Sequence, residues 1–83
     1  MKLQEGKIYK MGMHQGIATV KLHKVQTYPA TGMPADLIFE YVEGSIKPLT
    51  HPRAKEIFGH EDRFPLPETM IPEIKLHYGI EEI

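Results

Sequence analysis

The chain has 83 residues, 41% of them hydrophobic, no cysteine and a formal net charge of −1. That length can bury a core for one domain only, and the missing cysteine excludes disulfides, thiolate metal centres and cysteine nucleophiles. The small net charge hides an asymmetry: residues 1–30 carry five lysines against Glu5, whereas residues 31–83 carry five basic and ten acidic groups.

The opening "MKLQEGKIYK" lacks the apolar run of a signal peptide, and no later stretch is long enough to span a bilayer. A soluble, cytoplasmic protein without membrane contact is therefore expected. Residues 7–13 read as a first strand with Tyr9, Met11 and Met13 on one side, and "HQG" at 14–16 as a turn. Residues 17–25 carry the clearest signal: Ala18, Val20 and Leu22 alternate with Thr19, Lys21 and His23, the period of a half-buried strand. "TYPATGMPAD" is broken by prolines and a glycine and reads as a wide loop. A third strand follows over 36–43, with Leu37, Phe39 and Tyr41 facing one way. Glu43-Gly44 then turns into a fourth strand over 45–49, which Pro48 keeps short or places at an edge.

The last third reads as two short helices, at about 52–58 and 72–78. Their surroundings run in parallel: in "HPRAKEIFGHED" (51–62) and "IPEIKLHYGIEE" (71–82), Pro52 answers Pro72, Lys55 answers Lys75, Phe58 answers Tyr78 and Gly59 answers Gly79. Proline in a first turn and glycine as a left-handed cap explain the match as helix punctuation rather than a duplicated functional unit. Helices of two turns are unstable alone, so each must dock on the sheet. The "HEDRFPLPE" between them reads as an extended, Pro-rich connection. The expected fold is mainly β (α+β): a small four-stranded antiparallel curled sheet with two short C-terminal helices. This layout resembles the SH3-like barrels in architecture, without any family motif.

Few residues announce chemistry. His60, Asp62 and His77 spell H-x-D followed by H, the ligand order of the two-histidine, one-carboxylate iron site. Four strands do not supply the larger double-layered scaffold such sites use, so no metal and no other cofactor is expected. Ser45 lacks a G-x-S-x-G elbow, no phosphate-cradling glycine loop occurs, and "LPETM" at 66–70 matches a sorting signal only by chance. Glu40, His23 and Tyr41 could converge across strands as the His/carboxylate site of a small enzyme, a lesser alternative. Lys7, Tyr9, Lys10, Lys21 and His23 would make a basic patch with an aromatic, as in nucleic-acid-binding small barrels. Against that stand a pI near 6.5 and the ten acids of the second half.

On the second helix, Ile71, Ile74 and Tyr78 form the stripe that docks. Leu76, Ile80 and Ile83 are left over as an apolar surface for another chain, most simply a symmetric copy of this one. The competing expectation is that the tail folds back as a strand or loop and covers its own leucine. The function read from these features is a non-enzymatic binding or assembly module, with no catalytic residues, acting on a protein or small-molecule partner as a homodimer or larger assembly. Its size suits a bacterial or phage accessory protein. A nucleic-acid-binding module using the N-terminal lysines is the alternative.

Overall fold

The computed structural model describes residues 2–83. It contains five strands, β1 (Ile8–Met13), β2 (Gly16–Tyr28), β3 (Met33–Gly44), β4 (Arg63–Pro67) and β5 (Ile80–Glu82). Two helices, α1 (Ala54–Phe58) and α2 (Ile71–His77), complete it, with a 3-10 turn over Glu68–Met70 leading into α2. The strands form one antiparallel sheet in the order β4-β3-β2-β1-β5. The protein is thus mainly β, but with five strands rather than four, and the sheet is open rather than closed into a barrel.

Three local differences from the sequence reading have physical causes. Residues 45–49 form no strand. Gly44 instead crosses the end of β2 so closely that a Cβ there would sit 2.7 Å from Ala18 Cα. Ser45 then clips this crossing: its N–H donates to Ile17 O at 2.9 Å, and its Oγ accepts the Ile17 N–H at 2.9 Å. The loop expected around residues 27–36 shrinks to a turn, because β2 and β3 pair out to Tyr28 and Met33. Gly32, at φ +67, supplies the left-handed residue this turn needs. The Pro-rich connection is itself β4. An edge strand tolerates proline, and Pro65 and Pro67 stand on one.

Two register shifts explain how the long hairpin stays amphipathic. Strict alternation after Leu22 would turn Lys24 inward and Val25 outward. The pairing instead runs Leu22 with Phe39 and then Lys24 with Ile38, so His23 is the extra residue of a bulge. Val25 returns to the inner face and packs on the core. A second shift, between Thr19 and Val20, leaves Val42 as the extra residue of β3. Where β2 outruns β1, the Val25 N–H is taken by Glu5 Oε1 at 2.7 Å.

The inner face holds Tyr9, Met11, Ala18, Val20, Leu22, Leu37, Phe39, Phe64 and Ile80 as one buried cluster. Phe39 and Phe64 stack at 6.0 Å between centroids. The chain must travel from β4 at one edge to β5 at the other, four strand spacings or about 19 Å if the sheet were flat. It does so across the inner face as α2, whose Ile71 and Ile74 pack on the core. The helices therefore cover opposite faces. α1 lies on the outer side, where Ile57 and Phe58 line an open pocket together with Ile38 and Pro65. Arg63 anchors it, donating to the Phe58 carbonyl at 2.7 Å and to Glu40 at 2.8 Å. Gly59, at φ +86, caps it. Among the described residues, no helix is long and apolar enough to cross a membrane.

Candidate functional site

Because the sheet is not closed, its inner face is sealed incompletely. A groove of about 550 Å³ opens beside α2. Its floor is Met11 and Met13 of β1 with Phe64 and Leu66 of β4. One wall is Ile74 and Tyr78 from the end of α2, and the other is Ile46, Pro48 and Leu49. The two walls arise for different reasons. Tyr78 is drawn close by Gly12, whose N–H donates to Gly79 O at 2.9 Å and which leaves room for the Tyr78 carbonyl where a side chain would stand. The 46–49 wall begins just beyond the Ser45 clip to Ile17 of β2, forms no strand, and at Pro48 offers no N–H to a neighbouring strand.

The groove falls within the size range of small-molecule sites, and its lining is mostly apolar with a few polar groups, as such sites require. Leu49 is 98% exposed, an uncovered leucine at the mouth. The polar groups at the rim are His14, Gln15, Lys47 and His51, and no carboxylate lines it. Lys47 Nζ lies 2.7 Å from Asp62 Oδ1, which is otherwise unpartnered and buried. Hydrogen bonding to Asp62, and then its charge, hold the Lys47 ammonium above the ordinary lysine value. The ammonium also stands 5.7 Å over the Tyr41 ring. His51 Nδ1 accepts the Arg53 N–H at 3.0 Å, so the neutral ring carries its proton on Nε2.

The residues singled out from sequence are placed as follows. Tyr9 is not on the lysine face: it is 1% exposed in the core, and its hydroxyl accepts the Gln4 N–H at 2.8 Å. The inward parity it shares with Met11 removes it from any stacking surface. Lys7, Lys10, Lys21 and His23 are exposed. They do not form a uniform patch, because Lys10 pairs across strands with Glu81, and Lys21 with Glu40. Such alternation places carboxylates within the face that phosphate would have to approach. Glu40 and Tyr41 are neighbours in β3 and point to opposite faces, Glu40 to Arg63 and Tyr41 to the core, so they do not converge with His23. Ser45 is spent on the Ile17 backbone.

His60 Nδ1 accepts the Asp62 N–H at 3.0 Å, a local turn. Among the described residues, no three His, Asp or Glu side chains gather as metal ligands. Leu76 and Ile83 are 79% and 69% exposed, but Ile80 is 4% exposed and belongs to the core, because β5 pairs with β1 and turns it inward. The tail does fold back as a strand, yet it leaves Leu76 uncovered. Comparison with known protein families, curated proteins and solved structures gives no match.

The sequence reading missed the groove. Its one available signal was Leu49 beside Pro48, an apolar pair in a stretch that alternation does not organise; the opposite wall required knowing that α2 crosses the inner face.

Proposed function

We propose that this chain is a non-catalytic binding module whose working surface is the groove between α2 and residues 46–49. The observation that carries this reading is the groove itself: an apolar opening of about 550 Å³ that reaches Met11 and Phe64 of the core. Its accessible apolar surface comes from the half-buried Met13, Ile46, Leu66 and Ile74 and the uncovered Leu49, so an apolar guest gains burial against them. The test is methyl-detected NMR of the methionines and isoleucines, titrated with decanol as an uncharged apolar probe. Saturable shifts at Met11, Met13, Ile46 and Ile74, weakened by Ile46→Arg, are expected. Absence of saturable shifts at those methyls, or shifts confined to other residues, would refute the reading.

A second surface favours assembly. Leu76 and Ile83 both stand exposed in the C-terminal region, while both sheet edges are unsuited to strand-to-strand pairing, β4 by its two prolines and β5 by its three-residue length. Self-association, where it occurs, proceeds through these side chains rather than by extending the sheet.

A further inference from the structure

The groove's rim carries a charge pattern that narrows what the groove can hold. The chain has eleven acidic residues, yet none lines this opening, whereas His14, Lys47 and His51 all do. The Lys47 charge is partly answered by Asp62, and the His51 ring, with Nδ1 committed to the Arg53 N–H, offers only a donor at Nε2. The rim therefore supplies hydrogen-bond donors and at most a modest positive charge. A polyanion would be poorly served: the lining contains no arginine fork, the group that best answers a phosphate. A cation would meet no carboxylate. What matches is a single negative charge on an apolar body.

We propose that the groove takes a small amphipathic monocarboxylate. Its hydrocarbon lies on Met13, Leu66 and Ile74, and its carboxylate accepts hydrogen bonds at the rim from His14, Lys47 and His51. Lys47 holds the buried Asp62 oxygen, and its half-exposed ammonium has further N–H donors to give. This inference rests on the groove being the binding surface and adds the chemistry of the headgroup.

The experiment compares three ligands of equal chain length, decanoate, decanol and decyltrimethylammonium, each kept below its micelle-forming concentration, by the same methyl shifts. Decanoate is expected to bind about tenfold more tightly than decanol, the effect of one or two charge-assisted hydrogen bonds at a wet rim, with the trimethylammonium ligand weakest. In Lys47→Gln with His14→Gln the ratio of decanoate to decanol affinity should fall to near one, and Lys47→Arg should preserve it. Lys24→Gln, which removes an exposed lysine outside the groove, serves as the control that leaves decanoate binding unchanged. If decanol binds as tightly as decanoate to the unaltered protein, or the ratio survives the double substitution, the headgroup assignment is overturned while the groove stands. If none of the three ligands moves the groove methyls, the groove reading itself has failed.

Discussion

Gly12→Ala is the substitution that most directly tests how the molecule is closed. Gly12 has no positive φ, so a strand interior should ordinarily welcome alanine there by about 0.5–1 kcal/mol. Its surroundings reverse that sign. An added Cβ would fall 2.7 Å from the Tyr78 carbonyl carbon and 2.9 Å from Tyr78 Cβ, and closer still to the carbonyl oxygen. The two carbonyl atoms are backbone, held in place by the Tyr78 and Gly79 N–H groups donating to Ile74 O at 2.8 and 2.7 Å. Relief therefore requires the end of α2 to lift away from β1. Overpacking costs about 1–3 kcal/mol, and loss of the Gly12-to-Gly79 hydrogen bond adds about 1. After the intrinsic gain is subtracted, a net loss of about 1–3 kcal/mol remains, out of a total of about 4–12 kcal/mol for a domain of this size. Urea denaturation followed by circular dichroism should show a lower midpoint, and amide exchange should quicken first at Gly12 and Ile80, where β5 is held. A variant with a midpoint at or above that of the unaltered protein would refute the claim that α2 is clasped through this glycine.

Other expectations follow from single contacts. The Tyr28 hydroxyl donates to Asp36 at 2.8 Å, and this bond, with desolvation and the Asp36 charge behind it, holds the phenol above its usual pKa of about 10. The stabilisation is fully present below that value and is lost as pH rises through the folded pKa; in an ultraviolet titration Tyr28→Phe should remove a late-ionising phenol, and a late phase unchanged by the substitution would refute this. Ile80→Glu places a charge in the core and should unfold the chain, whereas Leu76→Glu should stay folded by circular dichroism; light scattering of the unaltered protein shows whether Leu76 and Ile83 mediate association, and a monomer at high micromolar concentration would exclude it. With Lys10 facing Glu81 and Lys21 facing Glu40, a heparin column should release the protein at low salt, and retention past moderate salt would revive the nucleic-acid reading.

The mainly β, antiparallel character with two short helices was legible in the sequence, because it depends on near-neighbour periodicity and punctuation. Ala18, Val20 and Leu22 advertise a buried face by their spacing alone, and Gly59 and Gly79 mark places where only glycine turns left-handed at little cost. What could not be read locally is every feature set by distant partners. β4 looks like a loop until Phe39 is there to stack on Phe64, and β5 looks like spare apolar surface until β1 pairs with it and draws Ile80 inward. The bulge at His23 is decided by Val25 seeking the core, against the strict alternation of its own strand. The groove is the furthest from local signals, since its floor joins β1 to β4 and its walls are a helix end and a strandless stretch brought together only when the chain crosses from one sheet edge to the other. Local sequence governs which face a residue prefers; the edge-to-edge crossing of α2 decides which faces are left uncovered.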